Sequence, residues 1–344
     1  MKTINTVDAV GTVLCHDLTL IVKDNVKTTA FRKGHVIKSE DIPLLLSMGK
    51  TRLFVWDLGD DMVHENDAAK RLAEICVPEG FVATEAKEGR VSFSAAIDGL
   101  FMVDLARLEA ANDFEEFSVV VRSSGSPVKK GQNVAAVKIV PLAVHSDKIE
   151  QVNLKLGGRP LMQIRPYLPL KAGIAATGSE IYHGRIVDQF TKVVEDKLAD
   201  FGISAPHKTI CDDNMTMIVN AINGFIEKGV DLIILTGGMS VDPDDLTPGA
   251  IKAAGAELVS YGAPALPGAM FLVAYIGKVP VLGLPGCVMF GKRTVFDVIL
   301  PRIAAGLRVT RREIRGLGHG GLCLECPTCI FPACSFGRGW PYSL

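Results

Sequence analysis

Asp231-Leu232-Ile233-Ile234-Leu235-Thr236-Gly237-Gly238-Met239-Ser240-Val241-Asp242-Pro243-Asp244-Asp245 is the stretch on which the reading of the fold turns. Its opening acid is followed by an unbroken apolar run, the pattern of a parallel strand buried on both faces. The two glycines let the backbone turn sharply and come close to a neighbour or a ligand. Their N–H groups, with the hydroxyls of Thr236 and Ser240, can line a nest for an anion. Asp242, Asp244 and Asp245 stand beside that nest. Carboxylates repel phosphate unless a cation lies between them, so the pairing suggests a phosphate site bridged by Mg²⁺. A plain surface turn accounts for the same Gly, Pro and Asp residues.

Two more apolar runs end in the same chemistry. Gly173-Ile174-Ala175-Ala176 leads into Thr177-Gly178-Ser179-Glu180, and Val279-Pro280-Val281-Leu282-Gly283-Leu284 leads into Pro285-Gly286-Cys287. Helical spacing lies between them. Ile186, Phe190, Val193, Val194 and Leu198 form one stripe of a helix over 186–201, and Met215, Ile218, Val219, Ile222 and Ile226 mark a second. Thr209-Ile210-Cys211 and Leu258-Val259 read as strands, and further helices are expected near 248–254 and over 290–305. This alternation predicts an α/β domain over 168–306, doubly wound around a mostly parallel sheet. Ligands of such sheets bind outside the carboxyl ends of the strands. Strand–helix junctions also need Gly and Ser for turning and capping. Three such loops opening on one edge point instead to a shared phosphorylated ligand.

A smaller α+β, β-rich region precedes this domain. Residues 1–85 carry a helix from Ser39 to Met48, a strand Leu53-Phe54-Val55-Trp56, and an amphipathic helix Glu65–Cys76 with Ala68, Leu72 and Ile75 on one face. Residues 86–160 hold short β-like runs punctuated by Gly125, Pro127 and Gly131. His64-Glu65-Asn66 reads as a helix start. His16 and His35 read as surface groups, and Cys15, Cys76, Cys211 and Cys287 as small core residues, with Cys287 alternatively facing a ligand.

The 344 residues are 48% hydrophobic with a net charge of −1. That balance gives several cores and no basic field for nucleic acid or an anionic membrane. The N-terminus lacks an apolar signal region, and no apolar run reaches the roughly 18 residues of a membrane span. A cytoplasmic protein is the expectation. Its eight cysteines then read as thiols or metal ligands rather than disulfides. Residues 315–344 form a cysteine-rich tail in which Cys323, Cys326, Cys329 and Cys334 follow C-x2-C-x2-C-x4-C spacing. Four thiolates at that spacing can hold zinc or an iron–sulfur cluster.

Residues 168–306 resemble the molybdopterin-binding domain shared by MoeA/gephyrin, MogA and CinA-type proteins. Thr177-Gly178-Ser179-Glu180-Ile181 with Gly184, Asp212-Asp213, Thr236-Gly237-Gly238-Met239-Ser240 through Asp245, Pro267-Gly268 and Leu284-Pro285-Gly286 occur in the family order. Asp8-Ala9-Val10-Gly11-Thr12-Val13-Leu14 and Ala30–Ile37 carry a weaker likeness to MoeA-type proteins, so the whole chain resembles a truncated MoeA-type molybdenum cofactor biosynthesis protein. Four departures stand out. Ser179 replaces an Asp, Cys287-Val288 replaces Asn-Pro, Ala269 replaces a lysine, and the Asp-Gly-Tyr-Ala signature near the N-terminus has no counterpart. The usual C-terminal β domain is expected to be absent after Leu307.

The resemblance implies molybdopterin, a pterin dithiolene phosphate, as ligand or substrate, and Mg²⁺-assisted molybdenum transfer to its adenylylated form. By position, Asp245 would orient Mg²⁺ or a water, with Asp244 and Glu180 as the other catalytic carboxylates. Thr177, Gly178, Ser179, Thr236, Gly237, Gly238, Ser240, Pro285 and Gly286 would hold the cofactor. A molybdoenzyme or cofactor-pathway protein is the implied macromolecular partner, and homo-oligomers occur in the family. A non-catalytic molybdopterin carrier or insertion chaperone is the second reading. A CinA-like nucleotide-processing enzyme is the third, favoured by the Gly184…Asp212-Asp213 spacing but lacking the Gly-Gly-Leu-Gly-Pro-Thr loop.

Overall fold

The computed structural model describes residues 2–22, 26–55, 61–77, 79–240 and 242–339. Trp56, Val241 and tail residues 340–344 lie outside them. The chain divides into two compact units. One comprises Met1–Ala96, Asp104–Val121 and Asn133–Gln163, and the other Ile97–Val103, Arg122–Gln132 and Ile164–Leu344. The regions 1–85 and 86–160, read separately from the sequence, thus contribute mostly to one unit and lend two short segments to the other.

In the first unit, Phe81–Ala83, Arg90–Ala95, Asn133–Ile139 and Phe117–Val121 form a four-stranded sheet in that spatial order, antiparallel throughout. The helix Glu65–Cys76 buries Ala68, Leu72 and Cys76, while Ile75 stays half-buried. Its start is set by His64, whose ring accepts a hydrogen bond from Asn66 N at 3.2 Å, so one orphan amide of the first turn is satisfied. A smaller core of Ala9, Leu14, Leu18, Phe31, Ile37, Leu45 and Leu53 organises the N-terminal segment.

The second unit is built on a six-stranded sheet. Its strands are β1 (Lys171–Thr177), β2 (Ser204–Cys211), β3 (Leu232–Thr236), β4 (Glu257–Tyr261), β5 (Leu272–Ile276) and β6 (Val279–Leu284), in the order β2-β1-β3-β6-β5-β4. Its helices are α1 (Ser179–Tyr182), α2 (Phe190–Ala199), α3 (Met215–Glu227), α4 (Thr247–Ala253), α5 (Cys287–Phe290), α6 (Val295–Ala304) and α7 (Arg311–Gly316). The ladders β2–β1, β1–β3 and β3–β6 are parallel, whereas β6–β5 and β5–β4 are antiparallel. The sheet is therefore mixed. β5 was not foreseen, and it enters as one arm of a two-residue hairpin through Gly277-Lys278, a connection open only to antiparallel neighbours.

Alternate strand residues feed two separate cores. Ala172, Ile174, Leu232, Ile234 and Leu282 pack with Phe190, Val194 and Leu198 of α2 and with Val295, Ile299 and Ile303 of α6. Ala175, Ile233, Leu235 and Val281 pack with Ile218, Ile222 and Phe225 of α3 and with Ala250 and Ile251 of α4. Each fully buried large side chain contributes about 1.5–3 kcal/mol, so both faces of β1 and β3 are closed by a helical stripe. α2 begins at Phe190 rather than near Ile186 because Asp188 caps it, its Oδ1 accepting from Phe190 N at 2.9 Å and Thr191 N at 3.1 Å. Ile186 and Val187 are left exposed. α6 begins at Val295 rather than 290. Asp297 closes a capping box there, accepting from Thr294 N at 2.8 Å.

Candidate functional site at the strand ends

The parallel registers bring three loops to one edge. Thr177 stands opposite Cys211, Ala176 opposite Thr236, and Thr236 opposite Leu284. The segments that follow β2, β1, β3 and β6 all leave from the carboxyl end of the sheet. From β1 the chain moves outward to β2 and then returns to lay β3 on the other side of β1. The order therefore reverses between β1 and β3. That reversal is a topological switch point, where open sheets hold ligands.

The two loops flanking the switch point are locked together. Thr177 Oγ1 donates to the Thr236 carbonyl at 3.1 Å and contacts Thr247 Oγ1 at 3.2 Å. Thr247 Oγ1 donates to the Gly237 carbonyl at 2.9 Å. All three threonines are buried. A threonine hydroxyl has one proton to give, and that of Thr177 is committed to Thr236. In this position it joins two loops. Gly237 and Gly238 have φ values of +84° and +56°, and a Cβ on Gly237 would run into the Thr177 carbonyl. Both are required by loop-on-loop packing in the left-handed region.

The remaining residues of the set are more open. Gly178 takes φ +145°, Ser179 is half-exposed, and Glu180 is exposed. Ser179 N donates to Asp213 Oδ2 at 2.9 Å, so the carboxylate lost by having Ser at 179 returns to this loop from the end of β2. Ser240 is exposed, and its carbonyl and that of Met239 each lie 3.1 Å from the Tyr261 hydroxyl. Burial, and after it the charge of Asp245, push the Tyr261 pKa above its ordinary value, so this hydroxyl stays a donor at neutral pH. Asp242 and Asp244 are exposed and Asp245 half-exposed. Asp245 Oδ2 accepts from Asp242 N at 2.9 Å and so shapes the turn. At the end of β6, Pro285 is buried and Gly286 exposed, with φ −54° and nothing within 4 Å of where its Cβ would stand. Burial raises the Cys287 pKa, which fits an unreactive thiol.

Residues 173–305 match the family model described as a probable molybdopterin binding domain. That match lies within the second unit. Residues 3–57 match the model of a domain of unknown function, DUF8806. A CinA-like protein of Mycobacterium tuberculosis (strain ATCC 25177 / H37Ra) is 37% identical over 90 residues, which are 26% of this chain and 21% of that protein. A CinA-like protein of Mycobacterium sp. (strain MCS) is 36% identical over the same shares. The chain thus spans about a fifth of the length of the curated relatives it matches (21%). Among solved structures, the molybdopterin biosynthesis enzyme MoaB of Thermus thermophilus is similar with a TM-score of 0.34 and 21% identity, over 39% of this chain and 91% of that one. The protein CinA of Thermoplasma acidophilum, described as of unknown function, gives 0.34 and 19%, over 39% and 97%. No helix among the described residues is long and apolar enough to cross a membrane.

Tyr261 and Thr247 were missed by sequence reasoning. Thr247 precedes Pro248 at a legible helix start, although its hydroxyl goes to the Gly237 carbonyl and not to the helix amides; Tyr261 reaches the loop from the edge strand β4 and left no such signal. The four tail cysteines are all free thiols lining one cavity. Among the described residues no group of three or more His, Cys, Asp or Glu side chains is placed to hold a metal ion.

The first unit has a cleft of about 320 Å³ lined in part by His16, Asp17, Lys33, Phe54 and Glu65. His16 is thus half-buried rather than a surface group. His64 also lines the cleft, but its Nε2 donates to the Cys15 carbonyl at 2.6 Å while Nδ1 accepts from Asn66 N. Both nitrogens serve the fold, and burial holds the His64 pKa below its ordinary value.

Proposed function

We propose that the second unit binds molybdopterin at the switch point between β1 and β3 and acts in molybdenum cofactor biosynthesis. In this reading the sheet serves as a doubly wound one, with its ligand outside the carboxyl ends of the strands. The observation that carries it is the register placing Thr177, Thr236 and Leu284 at one edge, inside the segment matched by the probable molybdopterin binding domain. Gly178, Ser179, Gly237, Gly238 and Ser240 supply amides and hydroxyls for the phosphate, Gly286 leaves room for close approach, and Thr177, Thr247 and Tyr261 hold the loops in place.

Asp244 and Asp245 fit the way Mg²⁺ is usually held, by one or two carboxylates together with substrate phosphate and waters. When bound, Mg²⁺ would neutralise the charge between phosphate and carboxylates. The chain's own contribution is positional: loops locked by buried hydroxyls keep the ligand at a fixed place, and transfer chemistry of this kind needs positioning and electrostatics rather than a protein nucleophile. The expected activity is Mg²⁺-dependent molybdenum transfer to adenylylated molybdopterin.

A carrier that binds without turnover is the second reading, favoured by the engagement of Asp245 Oδ2 with Asp242 N. Asp245→Asn separates the two, because the amide oxygen still accepts that hydrogen bond while the charge is gone. Molybdopterin binding should persist, and molybdate insertion measured with adenylylated molybdopterin should fall at least about a hundredfold, the scale of losing a positioned charge. Insertion at the wild-type rate would remove Asp245 from the chemistry. Wild-type binding with no insertion at all would establish the carrier.

A further inference from the structure

The tail after α7 lacks regular secondary structure through residue 339, yet it is bound closely to the second unit. Leu266 N donates to the Gly321 carbonyl and Cys323 N donates to the Leu266 carbonyl, each at 2.8 Å. Gly337 N donates to the Gly320 carbonyl at 2.8 Å. Phe336 is buried in the core beside α6, and Cys323 and Cys334 pack against the same core.

Cys323, Cys326, Cys329 and Cys334 line one cavity of about 50 Å³ together with apolar side chains that include Ile330, Phe331 and Phe336. A single water needs about 10–15 Å³ by the same measure, so this space takes several atoms. Zinc demands four sulfurs about 2.3 Å from one point, and no three of the described ligand-type side chains approach that arrangement. Thiols that line one cavity instead of converging on a point suit a polynuclear centre, which carries its ligands around a body of its own. The C-x2-C-x2-C run is the spacing of bacterial ferredoxin-type ligation.

Two cations stand beside the cavity, with the Glu325 carboxylate also in its lining and Arg293 paired to Asp297 at 2.9 Å. Lys292 Nζ donates to the carbonyls of Cys326 and Pro327 at 3.2 and 2.8 Å. The Arg293 guanidinium lies 5.3 Å from the centre of the Phe331 ring and faces the Cys329 sulfur. A thiolate-bound cluster is anionic, and cations and hydrogen bonds beside its sulfurs favour it. From the four thiols lining one cavity, their ferredoxin-type spacing and the two cations beside them, we propose that the tail binds an iron–sulfur cluster of the four-iron class, with Cys323, Cys326, Cys329 and Cys334 as its ligands. The assignment stands independently of pterin binding.

The test is purification of the full chain under anaerobic conditions. The expected product is brown, holds about four irons and four sulfides per chain, and gives a paramagnetic signal on reduction with dithionite. Cys329→Ser should lose colour and most of the iron, while Cys287→Ser keeps both. If Cys329→Ser fails to fold, as judged by circular dichroism, the wild-type iron and sulfide content decides alone. A colourless chain carrying one zinc overturns the proposal. So does a metal-free chain that fails to take up iron and sulfide on reconstitution, or one whose tail cysteines resist alkylation because they are paired as disulfides.

Discussion

Alanine at Gly286 and at Gly237 separates a glycine kept for the ligand from one kept for the fold. At Gly237 the backbone φ is +84°, and an added Cβ would meet the Thr177 carbonyl and stand 2.9 Å from Thr177 Oγ1. Left-handed backbone costs an L-residue about 1–2 kcal/mol and overpacking about 1–3 kcal/mol, so the fold should lose about 2–5 kcal/mol. In a domain of this size each kcal/mol lowers Tm by about 2–4 °C. At Gly286 the φ of −54° suits alanine and the space is open, so stability should stay within about 1 kcal/mol of wild type and tend upward. If the pterin phosphate approaches that backbone closely, the new methyl should cost about 1–3 kcal/mol of binding, or about 5- to 150-fold in Kd. Thermal unfolding and a fluorescence titration of molybdopterin, run on both variants, measure the two effects. Wild-type affinity in Gly286→Ala would refute close approach at β6. Wild-type stability in Gly237→Ala would refute the locked-loop geometry.

Two further expectations concern the stability of the two units. Asp297 is buried, with Lys197 Nζ at 2.6 Å and Arg293 Nη1 at 2.9 Å. Asp297→Ala strands the largely buried Lys197 charge and opens the α6 cap, so urea unfolding should show a loss of about 3–5 kcal/mol, and a loss below about 1 kcal/mol would refute the pairing. Burial depresses the pKa of His16 and His64 in the folded state, so the unfolded chain takes protons more readily. Their contribution to stability is full above about pH 6.5 and is lost as pH falls through the depressed folded values. The urea midpoint of the first unit should therefore fall between about pH 7.5 and pH 5.5. The fall should be smaller in His64→Gln, and an equal fall would exclude His64 as a source. Glu65, whose carboxyl burial raises, works in the opposite sense. Its favourable contribution is present below the ordinary Glu value and is lost as pH rises through the raised one.

Local chemistry made much of the fold legible in the chain. The apolar runs of β1, β3 and β6, the stripe of α3 and the helix start at His64 are written within a few residues of where they act, because burial on both faces and capping depend on near neighbours. The same locality explains the errors. The start of α2 depends on which of several polar residues caps it, and Asp188 does so past Ile186, where the apolar stripe begins. The apolar run of β5 was not read as a strand, and with it went the two-residue turn Gly277-Lys278 that implies its antiparallel pairing.

What the sequence by itself determined is the kind of element at each place and the set of glycines, hydroxyls and carboxylates at the strand ends. Tertiary structure alone decided what those residues do. Strand order created the switch point between β1 and β3, and it spent the Thr177 hydroxyl on a carbonyl 59 positions away. It returned a carboxylate to Ser179 from Asp213, brought Tyr261 in from an edge strand, and set four cysteines along one cavity rather than at a point. Apolar periodicity reports that a strand or helix is buried, but hydrogen-bond partners distant along the chain are chosen only when the sheet assembles, and those partners set each side chain's role.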